Sequence, residues 1–152
     1  MFTTRRAFLA TTALTLPLAA CGNGQTVSTV TATIIADLAV IAAKAPSIMP
    51  QLSSLGALAT TLYADIKAAA TEIKAGIAAN VALPFIDRVR GDLQAVTGAL
   101  SKVNVPTLAV QFIQAALTLV NGILPLLGMP ILAAPVGGQT PDQARAVLAS
   151  IQ

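Results

Sequence analysis

The stretch IDRVRGDLQAVTGALSKV, Ile86 to Val103, places Ile86, Val89, Leu93, Val96, Leu100 and Val103 at intervals of 3, 4, 3, 4 and 3. Only a helix brings residues so spaced onto one side, and a strict 3–4 alternation is the seam along which two helices pack. Asp87, Arg88, Arg90 and Asp92 fall off that seam. Arg88 and Asp92 are four apart, a spacing that lets them pair on the outer face. Lys102 suits the negative end of the helix dipole.

Working outward, the same period recurs on both sides. Upstream, Leu55, Leu58, Leu62, Ile66, Ala69, Ile73 and Ile77 are spaced 3, 4, 4, 3, 4 and 4. This is the eleven-residue repeat of a nearly straight helix. Asn80 and Pro84 suggest where it ends, and Pro84 is suited to open the next helix. Earlier still, Val30, Ile34, Leu38, Ile41 and Ala45 outline another helix, with Pro46 and Pro50 bracketing a break. Its β-branched start, TVSTVTATII, is compatible with a few extended positions. Downstream, Pro106 opens TLAVQFIQAALTLVNGILPLLG. Pro125, Pro130 and Pro135 then preclude a regular helix. Thr140-Pro141-Asp142-Gln143 has the form of a capping box and launches a short helix through Ala144, Val147, Leu148 and Ile151. No hairpin signal interrupts this pattern. The expected fold is all-α: a small antiparallel helical bundle of about four helices plus a short C-terminal helix.

Composition agrees. The chain has 152 residues, 55% hydrophobic and only 10% charged, against about 25% charged in an average domain. The formal charge is +3 and includes Arg5 and Arg6. Without those two, seven basic residues face six acids, a balance that offers no nucleic-acid surface.

The first residues, MFTTRRAFLATTALTLPLAAC, have a basic start, a short apolar run and small residues before the single cysteine, Cys21. The apolar run is too short to span a bilayer and has the layout of a cleavable signal. A lone cysteine has no disulfide partner. Leu18-Ala19-Ala20-Cys21 resembles the lipobox of bacterial lipoproteins. That resemblance implies a diacylglyceryl group on the Cys21 thiol and cleavage between Ala20 and Cys21. Thr4-Arg5-Arg6-Ala7-Phe8-Leu9 resembles a twin-arginine export signal, with Arg5, Arg6, Phe8 and Leu9 matching; Ala10 stands where that signal usually has lysine. Both resemblances cover only residues 1–21. They divide the chain into a signal peptide (1–20), a lipidated tether (21–29) and a helical bundle domain (30–152). They also imply an exported protein held on the periplasmic side of a membrane. Gly22 stands where some lipoproteins carry an inner-membrane retention aspartate, which favours the outer membrane in a diderm cell.

Histidine is absent and cysteine occurs once, which removes His-based triads and thiolate zinc sites. Asp65 and Glu72 share a helix face beside Lys67 and Lys74, a pattern read here as a solvated, charge-balanced surface. Ser101 and Lys102 are sequence neighbours and do not face each other. No enzyme and no cofactor is expected beyond the covalent lipid on Cys21. The expected partners are the membrane, through that lipid, and an envelope protein.

One segment divides the functional reading. No charge occurs from Val103 to Pro141, and Leu108–Leu127 is long enough to cross a bilayer. Gln111, Gln114, Thr118 and Asn121 nevertheless form a polar stripe, costly against lipid. In a bundle this stripe is expected to face water or a polar groove, while Leu108, Phe112, Ala115, Leu119 and Ile123 fill the core. The alternative is a membrane-active lipoprotein of lysis or phage-exclusion type, resembling prophage cargo, in which residues 106–133 insert into lipid.

Overall fold

A computed structural model describes residues 27–74, 79–127 and 138–152. Among them the chain is all-α: α1 (Val27–Ile48), a 3₁₀ segment (Met49–Leu55), α2 (Ala57–Lys74), α3 (Ala79–Leu100), α4 (Thr107–Ile123), a 3₁₀ turn (Leu124–Leu127) and α5 (Pro141–Ser150). Helices α1 to α4 pack as a ring, each against its sequence neighbours and α4 back against α1. Helix α5 packs on both α4 and α1. Asp37 and Lys44 of α1 meet Arg145 of α5 and Ile151, just past its end, in the same order along both helices, so α1 and α5 run parallel. Gly122 near the end of α4 approaches Pro141 at the start of α5, as in a helical hairpin.

The core is built from seams with coiled-coil spacing. In α1 the buried positions are Ile34, Leu38, Ile41, Ala45 and Ile48; in α2 they are Ala59, Leu62, Ile66, Ala69 and Ile73. In α3, Ile86, Val89, Leu93 and Val96 are fully buried, as their spacing requires, while Leu100 and Val103 are half-buried. Helix α4 differs from the other three. Ala109, Phe112, Ile113, Ala115, Ala116, Leu117, Leu119, Val120 and Ile123 are all buried, leaving little of its circumference in water.

Several details depart from the sequence reading, each for a physical reason. Helix α1 is helical from Val27, so its β-branched start follows the helix and residues 27–29 of the expected tether belong to it. It also runs through Pro46, whose ring faces solvent between the buried Ala45 and Ile48. Packing on both sides offsets the one hydrogen bond that proline removes. The break comes after Ile48, and Gly56 turns it into α2 with φ +53, a conformation that favours glycine.

Helix α3 begins at Ala79, ahead of Pro84, so Asn80 lies inside α3 instead of ending α2, and Pro84 is internal. Ile77 lies outside the described residues. Leu58 and Leu108, both expected inside, are 39% and 36% exposed. In each case the following alanine, Ala59 or Ala109, takes the inner position. The capping box of α5 forms as expected: the Gln143 amide donates to Thr140 Oγ1 at 3.3 Å, and the Thr140 amide donates to Gln143 Oε1 at 2.9 Å.

The polar stripe of α4 divides: its first half faces outward as expected, and its second half turns inward. Gln111 is exposed and Gln114 half-buried, but Thr118 and Asn121 are buried. The Thr118 hydroxyl donates to the Gln114 carbonyl at 2.9 Å and so needs no partner from outside its helix. The Asn121 amide has no hydrogen-bond partner among the described residues.

The α3 seam gives a direct test. Leu93→Ala removes a fully buried side chain and is expected to cost about 2–5 kcal/mol in chemical denaturation. Leu58→Ala, on an exposed side chain, is expected to change stability by less than about 0.5 kcal/mol. Equal effects of the two substitutions would contradict this register.

Candidate functional site

The residues that the sequence singled out for export and anchoring, Arg5, Arg6, Phe8, Leu9, Leu18, Ala19, Ala20 and Cys21, lie outside the described residues. Within the bundle, the polar side chains gather at two places.

The first joins α5 to α1. Asp37 is buried, its side chain only 6% exposed, and receives both Arg145 Nε at 2.7 Å and Arg145 Nη2 at 2.9 Å. This two-point contact matches the planar guanidinium fork to the carboxylate. Arg145 Nη1 bonds Asp142 on its own helix at 2.7 Å. The two carboxylates hold the Arg145 pKa above its ordinary value, the hydrogen bonding to Asp37 contributing most, against the opposing effect of burial. About two helical turns further along α1, Lys44 donates to the Ile151 carbonyl, a cation at the helix C-terminus where the dipole is negative. Both charged side chains of α1 are therefore turned toward α5.

The second place is the seam between α2 and α3. Asp92 lies within hydrogen-bonding reach of Asp65 across that seam, and its Oδ2 is buried without a donor among the described residues. Burial, then the neighbouring Asp65 carboxylate, pushes the Asp92 pKa from 3.8 up to about 6. Two ionised carboxylates offer only acceptors to each other; a proton on Asp92 supplies the missing donor. The remaining titratable residues of α2 and α3 are Tyr63, Lys67, Glu72 and Lys74, and Asp87, Arg88 and Arg90. Neither α4 nor the Met49–Leu55 segment, which also pack on α3, holds an ionisable side chain.

The pairing on α3 corrects the sequence reading. Arg88 does not pair with Asp92 but lies over the Phe85 ring, 5.7 Å from its centroid. Arg90 bonds Asp87 at 2.7 Å. Asp65, read as part of a solvated face with Glu72, is half-buried against α3. The meeting of Asp65 with Asp92 has no local signal: the residues are far apart in sequence, and only the α2–α3 hairpin register brings them together. The Asp37–Arg145 bridge was missed for the same reason. An aspartate one position before the buried Leu38 was the one available hint.

Chemically, the Asp65–Asp92 pair can hold one proton between two oxygens, and the Asp37–Arg145–Asp142 group is a structural clamp in which each guanidinium nitrogen bonds a carboxylate. Among the described residues, no three acids, cysteines or histidines converge in a way that could hold a metal ion. Ser101 donates to the Gly98 carbonyl at 3.1 Å, a local helix-end contact. No family model, curated protein or solved structure matches the chain.

The acid pair makes stability depend on pH in a stated direction. The folded state holds the Asp92 proton more tightly than the unfolded chain does. The stabilisation is therefore complete below about pH 4 and lost as pH rises through about 6. Asp92→Asn, which keeps a donor at every pH, is expected to unfold at a higher temperature than the parent above about pH 7, with the difference vanishing near pH 4. Thermal denaturation of both proteins across that range checks it; parallel profiles would contradict the pairing.

Proposed function

We propose that the protein is a lipid-anchored, non-catalytic helical module of the bacterial envelope. In this reading it is exported through its paired arginines, Arg5 and Arg6, and processed before Cys21. It is then held by the Cys21 lipid on the periplasmic side of a membrane, the outer membrane in a diderm cell, where it serves as a binding or structural element for another envelope protein. Two acyl chains suffice for stable anchoring, at about 0.8 kcal/mol per buried methylene, so the bundle itself need not cross the bilayer.

The observation that carries this reading over a membrane-inserting one is the burial of α4. Two helical segments, Ala32–Leu55 and Thr107–Leu126, are long and apolar enough to cross a membrane by length and composition. In Thr107–Leu126, the segment suspected of insertion, 67% of the most apolar stretch is buried inside the bundle. Its apolar side chains already have protein partners. Exposing them to lipid would require the ring and α5 to come apart.

Two experiments test the proposal. Cys21→Ser is expected to move the protein from the membrane to the soluble fraction, while mass spectrometry of the parent finds a lipid-modified Cys21 at its N-terminus. An unmodified Cys21 in native protein would end the anchor reading. Residues 22–152 expressed without signal or lipid are expected to be soluble without detergent and helical by circular dichroism. Resistance of that product to carbonate extraction from membranes would replace the bundle with the inserting form.

A further inference from the structure

Helix α1 presents an outer face that is uncharged and almost wholly apolar. Its exposed positions include Ala32, Ala36, Ala39, Val40, Ala43 and Pro46, with Ser47 the polar exception. None is charged. Only 33% of the most apolar stretch of Ala32–Leu55 is buried, half the share found in α4. The two ionisable side chains of α1 do not interrupt this face: Asp37 is buried against Arg145, and Lys44 is bonded to the Ile151 carbonyl. The exposed charges among the described residues lie elsewhere, with Lys67 on α2, Asp87 and Arg88 on α3, Lys102 just beyond α3, and Asp142 on α5. Helix α3, which carries two of them, stands across the ring from α1.

The covalent layout brings this same helix to the membrane. Six residue steps separate Cys21 from Val27, where α1 begins. A fully extended chain of that length reaches only about 20 Å. The helix has 22 residues and is about 33 Å long. A lipid on Cys21 therefore holds one end of α1 closer to the bilayer than the helix is long. Of the surfaces that can tilt down from that pivot, the α1 face touches lipid without stripping water from any charge, and it lacks the exposed Thr107 and Gln111 of the likewise uncharged α4. Because the anchor fixes the local concentration, a modest apolar contact is enough to bias the orientation.

We propose that the uncharged outer face of α1 lies on the bilayer in which the Cys21 lipid is anchored, turning α3 and its charges toward the aqueous side. The inference rests on the lipid-anchor reading above. It assigns α1, not the α4 region, as the part of the folded domain that contacts lipid.

With Cys21 lipidated, an introduced cysteine is the chain's one free thiol. Nitroxide labels at Val40→Cys and at Ala36→Cys would report on the α1 face, and a label at Gln94→Cys, exposed on α3, would report on water. The full lipidated protein is floated with vesicles of phosphatidylethanolamine and phosphatidylglycerol. The labels are then probed by collision with oxygen, which partitions into lipid, and with a water-soluble nickel complex. Both α1 labels are expected to be severalfold more accessible to oxygen, and severalfold less accessible to nickel, than the Gln94 label. Flotation with α1 labels as open to nickel as the Gln94 label would overturn this inference and leave the anchor reading standing. Labels on α1 shielded from both reagents, with mutual spin coupling, would assign the face to a second copy and also overturn it. Protein that does not float would overturn the anchor reading and the inference together.

Discussion

Helix α4 is the constraint around which the rest of the structure is arranged. It carries no charge and buries residues on nearly every side, and a helix with so wide an apolar surface must be enclosed. The ring of α1, α2 and α3 encloses part of it. The remainder would face water were it not for α5, whose Ala144 and Leu148, followed by Ile151, are buried. A ten-residue helix is too short to be stable alone in water. Its position is secured by the capping box at its start, the Arg145–Asp37 clamp in its middle and Lys44 on the Ile151 carbonyl at its end. The polar contacts of α5 thus serve an apolar purpose: they keep the last helix over the α4–α1 groove.

The few charges are correspondingly placed. Asp37 is buried with two donors from one guanidinium, and an ion held in that way does not carry the penalty of an unpaired one. Asp65 and Asp92 are the opposite case, two acids brought together with no ion pair to either among the described residues. The α2–α3 contact therefore holds a proton that an exposed aspartate would have lost well below neutral pH. Asn121 is a third kind of placement. Its amide is buried without a partner among the described residues, a cost of about 1–3 kcal/mol that the surrounding apolar packing of α4 offsets.

Fold class and the core of α1 and α3 were legible from spacing, because Ile34, Leu38 and Ile41, and Ile86, Val89, Leu93 and Val96, are large and regularly placed. The capping box was legible because its signal is contained in four residues. The misplaced positions share a cause. At Leu58 and Leu108 a leucine stands beside an alanine, and the alanine is the one that faces inward. Size-based periodicity selects the larger neighbour, whereas the helix register, continued from Leu62 or Phe112, selects the smaller. Helix limits at Pro46 and Pro84 were misread because proline's local cost was weighed without the tertiary packing on both sides of it. The side-chain groups were mostly illegible. Asp37–Arg145 and Asp65–Asp92 join residues on different helices, and no local pattern encodes which turns of two helices meet. The polar stripe of α4 was visible, but the inward turn of its second half, Thr118 and Asn121, was not. Periodicity defines a face, and only the arrangement of neighbours decides whether that face looks in or out.

Alanine gives the two apolar helical segments different physical meanings despite their similar oiliness. Apolar stabilisation scales with area, at about 25 cal/mol per Å², so a stretch rich in alanine scores as apolar while offering little area for contact. In α4 the alanines Ala109, Ala115 and Ala116 are interleaved with Phe112, Ile113, Leu117, Leu119, Val120 and Ile123. Together they allow close approach of neighbouring helices and fill the space between them. In α1 the large residues Ile34, Leu38, Ile41 and Ile48 are spent on the inner face. The outer one is left with alanines and a single valine, Val40, 37% exposed. Such a surface is too shallow to drive insertion and too weakly hydrated to resist lying against an apolar boundary. The same residue type that lets the bundle pack closely inside thus leaves one helix without charge or bulk outside.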